Sequence, residues 1–238
     1  MALFTTAPSP MAMTLRVLAH LLRYPDNSLR EHLVEMRRAL HEEHALSVDR
    51  LAELGALINV LCNAPALDIE AAYVELFDRG RNTALHLFEH VHGDSRDRGP
   101  AMVDLVKTYE QAGLNLAPGE LPDHLAVVLE YASTQPPVQA ANFLREFAHI
   151  LLAIFSALLK RQSPYASVLA ALIELAGEKA QAVNLPAEEG LDQSWEEPPA
   201  FGGCSTEGQA RPGQPQPVHI VRPANGSSTI NATQGART

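Results

Sequence analysis

Cysteine is scarce in this chain: 238 residues hold only Cys62 and Cys204, with no CxxC pair. That argues against a disulfide framework and against a thiolate zinc site. Basic charge is also short. Eighteen Lys and Arg face 28 Asp and Glu, a net charge of −10 with a pI near 5.4. A nucleic-acid partner would need a basic face, and no run of Lys and Arg supplies one. Aromatics make up 5%, with one Trp. Long apolar runs are missing. The nearest, residues 143–159, is interrupted by Arg145, Glu146 and His149, so no integral membrane segment is expected. The first residues lack a basic stretch ahead of their apolar part, which is unlike a secretory signal and makes the cytoplasm the expected location. No stretch alternates apolar and polar residues as a strand would. The chain has no G-x-S-x-G elbow, no Walker A run and no G-x-G-x-x-G. No cofactor is expected.

What is present is helical periodicity. Leu15, Leu18 and Leu22 share a face in a helix over residues 11–23, which Tyr24-Pro25 stops. Ser28 is read as the cap of a second helix carrying Leu29, Leu33, Met36 and Leu40. Ser47 starts a third, with Leu54, Ile58 and Leu61 inward and Cys62 read as a small core residue. Asp68 caps a fourth, closed by Gly80 as a left-handed terminal glycine. Thr83 caps a short fifth, Pro100 opens a sixth that ends at Gly113, and a seventh carries Leu125, Val128 and Tyr131. Residues 138–160 read as one long helix, apolar on too many faces for the surface and therefore central. A last helix follows Pro164. Beyond residue 184 the pattern stops; seven of the 14 Gly and seven of the 17 Pro lie there. The expected fold class is all-α: a flexible lead-in over 1–10, a single helical-bundle domain over 11–183, and a largely disordered tail over 184–238 in which only Trp195 is a docking candidate.

One stretch differs from ordinary helix. Residues 73–102, YVELFDRGRNTALHLFEHVHGDSRDRGPAM, hold four Arg, five acids and three His. The charges gather at two turns, near Gly80 and Gly93. Within it, His86-Leu-Phe-Glu89-His90 matches the H-x-x-E-H pattern of inverted zinc peptidases, which would put both imidazoles on one helix face with Glu89 as base. The match is short, and no third ligand stands out. A peptide-binding body is the better reading. A groove between helices takes an amphipathic helix, and acidic margins select a basic one. Leu85, Leu87, Phe88, Met102 and Tyr109 are candidates for its floor, and Glu75, Asp78, Glu89, Asp94 and Asp123 for its rim, with His124 beside them. Arg81, Arg96 and Arg98 are expected to pin the turns through Asp78, Asp94 or Asp97.

The runs Phe77-Asp-Arg-Gly-Arg81, Leu87-Phe-Glu-His-Val-His-Gly93, Ser95-Arg-Asp-Arg-Gly99, Ala101-Met-Val-Asp-Leu105 and Tyr109-Glu-Gln111 resemble the NarJ family, the assembly chaperones of respiratory nitrate reductase. Leu121-Pro-Asp-His124 is similar to a second hallmark of molybdoenzyme chaperones. The resemblance implies an all-α fold without catalysis. It implies as partner the apo α subunit of nitrate reductase, bound in part through its N-terminal segment. The client would be held competent for molybdenum cofactor insertion, iron–sulfur maturation and membrane anchoring, and the chaperone would be absent from the finished enzyme. It leaves room for molybdenum cofactor biosynthesis proteins as further partners, and for a client other than nitrate reductase. His86 stands where the family is commonly apolar, which makes the peptidase pattern an accident.

Overall fold

The computed structural model describes residues 10–93 and 95–184. The lead-in, Asp94, Trp195, Cys204 and the tail lie outside the described residues, as do the expectations that fall on them. Ten α-helices are found there: α1 Ala12–Leu21, α2 Asn27–Glu43, α3 Val48–Asn63, α4 Ala66–Tyr73, α5 Leu87–His92, α6 Arg98–Gln111, α7 Leu125–Thr134, α8 Pro137–Glu146, α9 Ala148–Lys160 and α10 Ala166–Leu175. Among the described residues there is no strand, only a one-residue antiparallel pairing of His86 with His124.

The core follows the apolar stripes. α1 lies against α2, α7 and α10, and buries Leu15, Leu18 and Leu21. α10 buries nine of its residues, and α3, α8 and α9 pack around it. It therefore takes the central place expected of residues 138–160. Those residues form two helices, bent by 68° at Phe147. The bend lets Ala140 and Leu144 of α8 face inward together with Ile150, Leu151 and Ile154 of α9. Arg145 fixes it by donating to the Ala176 carbonyl at 3.1 Å, at the far end of α10.

Local chemistry shifts several boundaries. Asp26, not Ser28, caps α2; its carboxylate accepts the Leu29 N–H at 2.8 Å. Ser47 caps α3 as expected. Cys62 is exposed, because the buried stripe of α3 ends at Leu61 one residue before it. α4 runs on into a π-helical turn, Val74–Asp78, where the Arg79 N–H reaches back to the Val74 carbonyl at 3.1 Å. This wider turn sets Phe77 against Tyr73 and Tyr165, at centroid distances of 4.9 and 5.0 Å. Gly80 follows with φ −89°, so it is not a left-handed cap. Its role is close packing: a Cβ there would collide with Thr83 Oγ1 and the Leu76 carbonyl. Thr83 belongs to a 3-10 turn, Arg81–Thr83, and its hydroxyl donates to the Leu76 carbonyl instead of capping α5. Gly93, at φ +49°, does carry a left-handed reversal. Pro100 falls at the third position of α6, and Gly113 (φ +78°) follows its end.

Candidate functional site

Two stretches far apart in sequence meet at the His86–His124 pairing. The Leu125 N–H donates to the Leu85 carbonyl at 2.8 Å, and the Leu87 N–H to the Asp123 carbonyl at 3.0 Å. α5 has no cap from its own chain neighbourhood, since the side chain of His86 does not cap it. Asp123 does the work instead: its Oδ2 accepts the Phe88 N–H at 3.2 Å, 35 residues away. The same carboxylate faces His86 Nδ1 at 3.4 Å and Arg98 Nη2 at 3.5 Å, and Arg98 also holds Glu89 at 3.2 Å. Asp123 is 0% exposed. Burial would raise its carboxyl, but the hydrogen bond and charge of His86, the Phe88 N–H and Arg98 together hold it below the usual value. His86 is raised in turn, first by its hydrogen bond to Asp123 and against its own burial. His124 goes the other way. Burial, then the His86 and Arg23 charges, push it down to about 4. Its neutral Nδ1 accepts the Ala126 N–H at 3.3 Å and caps α7, while its ring stands edge-on to His86 with centroids 5.0 Å apart. Tyr109 closes the set by donating its hydroxyl to the Pro122 carbonyl at 2.8 Å.

This geometry removes the peptidase premise. His86 is extended, one residue outside α5, so it does not share a helix face with His90. His90 Nε2 bonds the Ala84 carbonyl at 2.8 Å. Among the described residues no three His, Cys, Asp or Glu side chains gather as metal ligands.

Beside the junction lies a cavity of about 580 Å³, walled by Tyr24, Tyr73, Asp78, His86, Leu121 and His124 among others. A second, about 590 Å³, runs between α1 and α2 past Met13, His20, Tyr24, His32 and Met36. A third, about 300 Å³, lies against α7 and the 114–120 loop, with Arg16, His20, Tyr109, Glu120 and Tyr131. They share walls. Arg23, Tyr24 and Asp26 border the first and second; Arg16 and His20 the second and third; Glu120 and Val127 the first and third. Because their walls are shared, the three adjoin as a groove: the second and third lie along the outer face of α1, and the first lies beyond its C-terminal end.

The residues expected from sequence divide accordingly. Asp78 and His124 lie on the junction cavity. Phe88 and Met102 are half-buried. Leu85 (3% exposed) and Leu87 (0%) are core and have no surface to offer a client. Tyr109 borders the third cavity but is only 3% exposed. Asp123 is not a rim residue, because its carboxylate is consumed in holding α5. Glu75 is exposed and paired with Arg79 at 3.1 Å; Glu89 is paired with Arg98. Of the turn residues, Arg98 is a pin, to Asp123 and Glu89 and not to Asp78 or Asp97. Arg81 and Arg96 are exposed and pair with no described acid. Asp97 accepts from the Ser95 hydroxyl at 3.3 Å. The sequence reading missed Arg16, His20, Arg23 and Tyr24. Their signal was the exposed polar pair Arg16 and His20 on the face of α1 away from its leucines, continued past its end by Arg23 and Tyr24.

The model of the nitrate reductase delta subunit family matches residues 26–171. The nitrate reductase molybdenum cofactor assembly chaperone NarJ of Escherichia coli K12 is 46% identical over 160 residues, 67% of this chain and 68% of that protein. The probable nitrate reductase molybdenum cofactor assembly chaperone NarW of the same strain is 38% identical over 193 residues, 77% of this chain and 80% of its own. In fold, the chain is similar to the crystal structure of a putative redox enzyme maturation protein from Archaeoglobus fulgidus, with a TM-score of 0.50 at 19% identity over 71% of this chain and 94% of that one.

Proposed function

The chain belongs to the nitrate reductase delta subunit family, and on that premise we propose that it is a non-catalytic assembly chaperone of respiratory nitrate reductase. Its client is the apo catalytic α subunit, bound through that subunit's N-terminal segment. The client is held competent for molybdenum cofactor insertion, iron–sulfur cluster maturation and membrane anchoring, and the chaperone leaves the finished enzyme. Residues 11–183 are the chaperone body, and the cytoplasm is its place of action.

The observation that carries this reading is the groove of adjoining cavities along α1 and past its C-terminal end. Its walls mix apolar and aromatic side chains with Asp26, Glu35, Asp78, Glu120 and Glu130. An amphipathic helix laid there buries its apolar face. The acidic margins, in a chain of net charge −10, favour a basic segment and speed its capture. Tyr24 is the anchor. It is 46% exposed, rests edge-on against Tyr73 at 5.7 Å and borders the two larger cavities. A half-exposed tyrosine held at one edge offers contact area at small entropic cost.

Calorimetric titration with a synthetic peptide of the α subunit N-terminus tests the proposal. Binding is expected, and Tyr24→Ala should weaken it about tenfold or more while the helical spectrum stays intact. A folded wild-type chain that binds no peptide sinks the assignment.

A further inference from the structure

We propose that Arg23 is an internal stand-in for a basic client side chain, and that Glu120 and Glu130 are the carboxylates that read that side chain once the client displaces it. This rests on the chaperone reading above and names how its groove discriminates.

The bridge stands where the cavities meet. Arg23 borders the α1–α2 and junction cavities, Glu120 the junction and loop cavities, and Glu130 the loop cavity. Arg23 Nη2 lies 3.1 Å from Glu120 Oε1 and 2.7 Å from Glu130 Oε1. A guanidinium is therefore already seated at the middle of the groove, between two carboxylates that come from separate elements. One nitrogen makes both contacts. Nε is enclosed and without a partner among the described residues, so the fork of donors is used incompletely. The side chains are 39%, 32% and 44% exposed, which leaves the bridge open to solvent and to competition. The occupant that fits is an amphipathic helix with a Lys or Arg on its polar edge. Its cation takes over the two carboxylates while its apolar face covers the cavities on either side. Arg16, the other arginine in the groove, donates its Nε to the Ser133 hydroxyl at 3.2 Å and leaves the acids to Arg23. In the empty groove Arg23 keeps two carboxylates from facing each other uncompensated. In the filled groove that task passes to the client, so an uncharged helix gains apolar contact without the exchange.

The test uses the full chain with two peptides: the N-terminal segment of the cognate nitrate reductase α subunit, and the same peptide with every Lys and Arg replaced by Gln. Wild-type protein is expected to prefer the basic peptide about three- to fivefold, the scale of an exposed ion pair, and to lose that preference in high salt. Glu130→Gln should bring the two peptides together. Arg23→Gln, by removing the competitor, should widen the preference by tightening the basic peptide alone. Equal binding of both peptides to wild type overturns the exchange and leaves the groove standing. Failure of both peptides to bind overturns the chaperone reading and this inference with it. An unchanged preference in Glu130→Gln, or weaker binding of the basic peptide to Arg23→Gln, overturns the exchange. So does an Arg23→Gln chain that no longer folds, since a strut cannot be displaced by a client.

Discussion

A carboxylate with no solvent contact has to be matched by donors and countercharge, and Asp123 is matched by Phe88 N–H, His86 and Arg98. Taking Asp123 away leaves the Phe88 N–H without its acceptor and the part-exposed His86 and Arg98 without their shared countercharge. Asp123→Ala should therefore lower stability by about 3–5 kcal/mol in urea unfolding. Asp123→Asn, which keeps an acceptor for Phe88, should lower it less. Equal losses for the two would mean that the carboxylate does not hold α5. The paired histidines make opposite contributions with pH. The raised His86 adds stability that is whole below its ordinary 6.5 and fades as pH climbs through its higher folded value. The depressed His124 adds stability that is present above 6.5 and is lost as pH falls toward about 4, because there the unfolded chain binds a proton that the folded one refuses. Asp123 behaves as a lowered acid, its contribution lost only below 3.8. His124→Asn keeps a capping acceptor for α7 and removes the titration. It should flatten the fall in melting temperature between about pH 6.5 and about pH 4; parallel curves for the two proteins would refute the assignment. Phe88, half-buried against both apolar clusters, should behave as packing: Phe88→Ala is expected to cost about 2–4 kcal/mol of stability. Arg96→Ala, with no partner to lose among the described residues, should melt like wild type. None of these assignments is visible from residue type alone. An Asp in a loop reads as exposed, and only the approach of the 84–88 segment makes Asp123 interior.

Among the helices, those with a clean apolar stripe and a stop signal were legible in the sequence. α1 ends ahead of Tyr24-Pro25, Ser47 caps α3, and α10 follows Pro164. What local pattern could not deliver were features decided by a neighbour. The break at Phe147 depends on α10 being there to be wrapped. The glycine at 80 reads as a left-handed terminus, yet its necessity comes from Thr83 folding back on Leu76. This distinction is measurable. Gly80→Ala should cost about 1–3 kcal/mol through the forced shift of Thr83 and the backbone. Gly55→Ala, in the interior of α3 with nothing within 4 Å of a new Cβ, should gain about 0.5–1 kcal/mol. If Gly80→Ala proved neutral, the π-helical turn and the turn after it would be looser than their hydrogen bonds indicate.

At the scale of the molecule, the all-α body and its acidity could be read from the chain, whereas the share of α1 and α2 in the groove could not. The sequence reading centred the groove on residues 73–131, where unusual chemistry is densest. The junction cavity and the loop cavity take much of their lining from that stretch, through Tyr73, Asp78, His86 and His124 in the one and Tyr109, Glu120 and Tyr131 in the other, whereas the cavity between α1 and α2 lies outside it. The dense chemistry serves to build the junction that borders one end. That junction has a topological effect. Hydrogen bonds at Leu85–Leu125 and Leu87–Asp123 close the chain between residues 88 and 122 into a loop tied at its base. Inside the loop, α6 contributes Leu105 and Tyr109 to a small apolar cluster that also holds Val127 of α7 and that Phe88 and Phe143 join to the main core. Such a segment can open as a cooperative unit while the knot at its base stays tied. Amide hydrogen exchange should then find α6 trading its protons together, well before α9 and α10; uniform protection across all three would contradict it. Evolution could reshape the middle of that lasso, but not its Arg98, which balances Asp123, nor its Glu120, which faces Arg23.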